Sequence, residues 1–148
     1  MKKIVKILPL AFSILCAAPL TCCGGDVSNY VGTYYVETSY EKCVHYAYGN
    51  KNEVYNREVS GIPVGSELII NKDKSVLFHY PNGDLQVKGK LVFTINGVRF
   101  NNLNLSHTYK FKLEEKENQK KLVHSYSEDK HGLEYDEESR YIVLATRL

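Results

Sequence analysis

In LQVKGKLVFTI, residues 85–95, apolar and polar side chains alternate along the chain. Leu85, Val87, Gly89, Leu91, Phe93 and Ile95 share one face, while Gln86, Lys88, Lys90 and Thr94 share the other. A strand with one buried and one wet face requires this period of two. The pattern recurs in VLFHY, where Val76, Phe78 and Tyr80 fall together. It recurs again in YKFKL, with Tyr109, Phe111 and Leu113 inward and Lys110 and Lys112 outward. Lysines on the outer faces (Lys88, Lys90, Lys110, Lys112) serve solubility and blunt sheet edges. Gly89 lacks a side chain in mid-strand and permits the bend that closing a sheet needs.

Turn signals separate these runs. PNGD at 81–84 and NG at 96–97 are hairpin turns, because Asn-Gly accepts the positive φ that tight hairpins demand. NKDK at 71–74 and EKENQK at 116–121 are polar connections of hairpin length. The reading predicts strands near 31–38, 67–71, 75–80, 84–95, 98–103, 108–114, 120–127 and 140–147. Residues 41–65 are the least regular and read as a long first loop, a lid or an extra hairpin. A meander without helices leaves two raw edges unless it closes. The expected fold is therefore all-β: an antiparallel up-and-down meander closing as a roughly eight-stranded barrel, whose interior is either filled or holds one small ligand.

The chain opens MKKIVKILPLAFSILCAAPLTCCGGD, with a basic head (Lys2, Lys3, Lys6) before an uncharged apolar stretch from Ile7 to Leu20. That is the layout of an export signal, and the stretch is shorter than the ~20 residues needed to span a bilayer. Leu20-Thr21-Cys22-Cys23 resembles the lipobox of bacterial lipoproteins, with Leu three residues before the modified cysteine. The resemblance implies a signal at 1–22, lipid attachment at Cys23, a short tether at 23–29 and a folded domain at 30–148. Cys22 as the anchor puts Pro19 in the Leu position, and a plain cleaved signal is the alternative without lipid. The expected location is a membrane, the outer membrane first, on its periplasmic or its surface side.

Processing changes both the cysteine and the charge accounts. Cys16 and Cys22 leave with the signal and Cys23 is the anchor, so Cys43 alone remains in the domain, as a buried small residue or a free thiol. The full chain carries +2, with 19 basic and 17 acidic side chains. Losing three leader lysines leaves 16 basic against 17 acidic, a net charge of −1, which argues for no nucleic-acid partner.

The first strand, YVGTYYVETSY, resembles the opening of lipocalin-like proteins, in which a glycine precedes by two residues an aromatic that plugs the barrel floor. Here the pair is Gly32 and Tyr34, with Tyr where that family usually carries Trp. The family's arginine near the last strand, which packs across the aromatic, is matched by Arg147, with Arg140 as the second candidate. The resemblance implies a calycin-type barrel with an apolar ligand cavity and no enzymatic chemistry.

No arrangement carries a catalytic signature. His124, Glu128, Asp129 and His131 offer metal-ligating groups, but their spacing fits no zinc motif and reads as a solvated hairpin. Asp136, Glu137 and Glu138 read as a wet loop between the last two strands. Cys43 and His45 share a face if extended, yet nothing nearby lowers the thiol's pKa. Expected catalytic residues, metals and cofactors are none. Twelve tyrosines and no tryptophan are the compositional oddity, six of the tyrosines lying between Thr33 and Tyr55. Two functions follow as expectations. One is non-enzymatic binding of a small apolar or amphipathic ligand by Tyr34, Phe78, Phe93 and Phe111. The other is an envelope interaction module (inhibitor, immunity protein or accessory subunit) with a filled core, acting through the Tyr-rich 40–60 segment.

Overall fold

The computed structural model describes residues 25–83, 86–103, 109–128 and 132–148. The expected signal, Cys22, Cys23, Leu85, Asp129 and His131 lie outside the described residues. Nine antiparallel strands form one sheet: β1 (Gly32–Ala47), β2 (Asn50–Arg57), β3 (Glu67–Ile70), β4 (Ser75–His79), β5 (Gln86–Thr94), β6 (Gly97–Asn101), β7 (Lys112–Lys116), β8 (Gln119–Glu128) and β9 (Glu134–Ala145). Their order is β6-β5-β4-β3-β1-β9-β8-β7, with β2 paired to β1 in addition. The all-β meander read from the alternation is the observed architecture. The outermost strands approach each other at one place, where Val98 and Phe111 exchange two backbone hydrogen bonds of 2.9 and 2.7 Å.

The irregular stretch is a hairpin. β1 runs on to Ala47, turns through Tyr48 and Gly49 at φ 49° and 84°, and returns as β2. Two successive positive φ values make the tight turn whose twist matches a hairpin. One edge of β1 is thus shared, Gly32 to Tyr35 pairing with β3 and Glu41 to Ala47 with β2. Residues of β2 are exposed except Tyr55, which is half-buried. With no buried face there is no reason for its sequence to alternate.

Inward faces fall where the period placed them for Val76, Phe78, Leu91, Tyr109 and Phe111, all buried. Ile95 does not: it occupies the two-residue turn between the paired Thr94 and Gly97, 87% exposed, because the alternation ends where the turn begins. Gly89 does more than bend the strand. A Cβ there would sit 2.5 Å from the Asn101 carbonyl oxygen and 2.8 Å from Leu103 Cδ2.

The core packs to near completion. Ile62, Leu68, Phe78, Phe100, Leu103, Phe111 and Leu144 surround a residual void of about 10 Å³, no more than a single water needs. At the base, residues 25–30 are not a free tether. Asp26 caps a 3-10 turn, Val27–Asn29, by accepting from the Ser28 amide at 2.9 Å. Tyr30 then meets Phe93 edge to face at 5.7 Å, and Gly25 lies so close to Phe93 that a Cβ would come within 2.7 Å of the ring. The Asp-Val-Ser capping geometry folds residues 25–30 onto Phe93.

Candidate functional site

The expected ligand contacts pack against their neighbours. Tyr34, Phe78 and Phe111 are fully or nearly fully buried, and Phe111 lies 5.5 Å from Phe100, ring to ring. Phe93 is half-buried at the base under Tyr30. Around Phe78 and Phe111 the described residues leave no space of ligand size. Tyr34 donates its hydroxyl to the Tyr30 carbonyl at 2.8 Å, and burial pushes its pKa up to about 12. Gly32 lies beside it, its would-be Cβ 3.8 Å from the Tyr34 ring. Arg147 does not pack across Tyr34. Its guanidinium stands 3.8 Å above the ring of Tyr35, on the opposite face of β1, because adjacent residues of a strand point to opposite sides.

Beyond the core, the upper half of β1, with β2, the start of β9 and the end of β8, continues as an arm. Its sides follow from register. Ser39 pairs with the core residue Ile142, so Glu41, Cys43 and His45 share the inner face with Arg140, Glu138 and Asp136. Tyr40, Lys42, Val44 and Tyr46 share the outer face with Tyr141, Ser139, Glu137 and Tyr135. A bulge between Val36 and Thr38 shifts this phase relative to Tyr34, so simple counting from Tyr34 assigns the wrong side.

The outer face is a tyrosine ladder. Tyr40 and Tyr141 lie 5.9 Å apart, and Tyr46 stacks on Tyr135 at 4.7 Å. Lys51 sits 5.8 Å over the other side of the ladder at Tyr46, whose hydroxyl donates to Glu137 at 2.9 Å. Val44 is buried between these aromatic pairs, and Tyr48 stands at the hairpin tip, 77% exposed.

The inner face holds a polar cleft of about 450 Å³ above the core. Glu41 lies at its centre with only 11% of its side chain exposed, accepting from Arg57 Nε at 2.8 Å and from Arg140 Nη2 at 3.5 Å. Arg57 stacks over Tyr55 at 4.6 Å, while Arg140 lies 5.3 Å from the Tyr109 ring and 6.0 Å from Tyr126. The hydrogen bond from Arg57 to Glu41 raises the guanidinium pKa further, and burial followed by the Glu138 charge raises that of the Tyr55 phenol. Arg140 Nε is buried without an acceptor among the described residues. Ser60 and Glu138 complete the rim.

Further out, His45 bridges two carboxylates of β9, Nδ1 to Asp136 at 2.6 Å and Nε2 to Glu134 at 3.3 Å. These contacts, the Asp136 hydrogen bond above all, raise the imidazole pKa. Burial and the charges of Asp136 and Glu138 push the Cys43 thiol up. Cys43 and His45 share a face, with both ring nitrogens of His45 facing the acids Asp136 and Glu134.

One expectation is corrected here. Asp136 to Glu138 are not a wet loop but part of β9, which starts six residues before the predicted strand, because the arm keeps pairing where neither face is apolar. His124 lies within the strand expected near 120–127, observed as β8. It is half-buried, hydrogen-bonded through Nδ1 to the Lys110 carbonyl at 2.8 Å and edge-on to Tyr109 at 5.0 Å, and burial lowers its pKa. Among the described residues no group of three or more His, Cys, Asp or Glu side chains is disposed to hold a metal.

Arg57, Glu41 and Arg140 were not legible as a site in the sequence, since Glu41 is separated from its partners by 16 and 99 residues. Only the buried acid in a strand otherwise reading as Tyr-rich marks the place. No family model, curated protein or solved structure matches the chain.

Proposed function

We propose that this chain is a lipid-anchored, non-enzymatic interaction module of the cell envelope, built as a lipocalin-like eight-stranded barrel with a filled interior. In this reading the Val98–Phe111 pair is the seam that closes the barrel, and Cys23 carries the lipid. The observation that carries it is the contrast between the two ends. Among the described residues the void around Phe78, Phe100 and Phe111 is about 10 Å³, too small for a ligand, whereas the exposed tyrosines Tyr40, Tyr48 and Tyr126 gather on the arm. Gly25 packs at the base under Phe93, so a lipid two residues earlier holds that end at the bilayer. β1 runs from this base to its hairpin, which sets the arm away from the membrane. The tyrosine ladder is a surface of the amphipathic, low-entropy kind that protein interfaces favour.

The test uses the full chain in its native membrane, with a photo-crosslinking residue at Tyr48 at the hairpin tip or at Ile95 in the turn between β5 and β6. A discrete protein adduct from Tyr48 and none from Ile95 is expected, with a lipid mass increase localised to Cys23. An apolar molecule co-purifying with the protein, together with no adduct from the arm, would return the function to ligand binding inside the barrel.

A further inference from the structure

Charge at the base of the arm is arranged in an unusual way. Glu41 is almost fully buried, yet both of its partners are guanidinium groups. Taking such charges out of water is costly, and an apolar cluster of similar volume would hold strands together as well or better. The cluster therefore needs another reason. Glu138 brings the cleft lining to two positive and two negative charges, but Arg140 Nε is buried without an acceptor among the described residues.

The donors are also underused. A guanidinium has five N–H groups. Glu41 engages Nε of Arg57 and Nη2 of Arg140, while the Arg57 side chain is 64% exposed and keeps its Nη groups. Glu41 thus positions two guanidiniums beside one cleft. Tyr55 and Tyr126 supply aromatic walls, and the volume of about 450 Å³ is that of a small-molecule pocket.

From this we infer that the Arg57–Glu41–Arg140 cleft binds a small organic monocarboxylate with a flat apolar body. The carboxylate accepts from the two guanidiniums in the charge-assisted geometry that arginine favours, and the flat body lies against the tyrosines. One carboxylate supplies the acceptor that Arg140 Nε lacks among the described residues. A second meets Glu138 on the exposed rim, so dianions are disfavoured. The site adds to the proposed arm interface and does not depend on it, since the tyrosine ladder is on the other face of the same strands.

The test follows amide resonances of the isotope-labelled full domain on titration with benzoate, neutral benzamide, phthalate and inorganic phosphate. Benzoate is expected to give saturable shifts confined to β1, β2, β8 and β9 around the cleft. Benzamide and phosphate are expected to give none, and phthalate weaker ones. Arg57→Gln and Arg140→Gln should each weaken benzoate binding by about tenfold or more, the scale of a lost charge-assisted bond. Should Arg140→Gln fail to fold, Arg57→Gln decides the matter, because that side chain is largely in solvent. The proposal is overturned by benzamide or phosphate binding as well as benzoate, by affinity unchanged in Arg57→Gln, or by no saturable shift at millimolar benzoate.

Discussion

Tyr46 on β1 and Tyr135 on β9 lie face to face across the arm, their ring centroids 4.7 Å apart and their planes 12° from parallel. They are direct cross-strand partners. The arm has no apolar core of its own, so pairs of this kind carry much of what holds it in place. A double-mutant cycle with Tyr46→Ala and Tyr135→Ala should return a coupling of about 0.5–1.5 kcal/mol in urea unfolding. Amide exchange in β2 should rise in both single variants more than in β4. Equal exchange in the two strands would mean the stack does not hold the arm.

Gly97 sits against the Phe111 carbonyl so closely that a Cβ would overlap it. Phe111 is the residue that pairs with Val98 across the outermost strands. Gly97→Ala must push these strands apart, at a cost of about 1–3 kcal/mol as for other overpacked sites. The expected signature is a lower urea midpoint together with faster exchange of the Val98 and Phe111 amides. Gly49→Ala, in a turn where a Cβ meets nothing within 4 Å, is strained by its positive φ but should leave those two amides unchanged.

The close packing around Phe111 makes Phe111→Ala expensive. The side chain is 2% exposed and packs on Phe100, so its removal opens a cavity and should cost about 3–5 kcal/mol. In a hollow barrel the same change would cost less and would alter uptake of an apolar dye. Calorimetry and dye binding on one variant separate these outcomes.

The His45 cluster should make stability depend on pH. In the folded chain the Asp136 hydrogen bond, with Glu134 nearby, holds the imidazole pKa above its usual value near 6.5. The contribution is then fully present below the unfolded pKa of about 6.5 and is lost as pH rises through the higher folded value. The stability gap between wild type and His45→Gln should be widest near ~pH 5.5 and close by ~pH 9, read from urea midpoints. A gap independent of pH would show that His45 is not charged in the fold. His124 acts in the opposite sense, since burial lowers its pKa and the unfolded chain takes up its proton first as pH falls. The comparison with a single variant removes that background.

Fold class was legible from the residues alone wherever one strand face meets the core. Val76 and Phe78, Leu91, and Tyr109 and Phe111 alternate because water lies on one side and packed side chains on the other, and burial follows that local rule. Turns were legible for the same local reason, as in the positive φ of Lys74, Gly83 and Asn118 within three of the four predicted connections. β2 left no such trace, because almost all of its residues are wet, and the acidic start of β9 was hidden likewise. The bulge after Val36 moved Glu41 onto the inner face, and no period reveals a phase shift made by one extra residue. The meeting of Arg57, Glu41 and Arg140, the packing of Arg147 on Tyr35 rather than Tyr34, and the close packing around Phe78 and Phe111 were decided by tertiary structure alone. Each depends on distances between residues far apart in the chain, which register and side-chain volume determine and alternation does not encode.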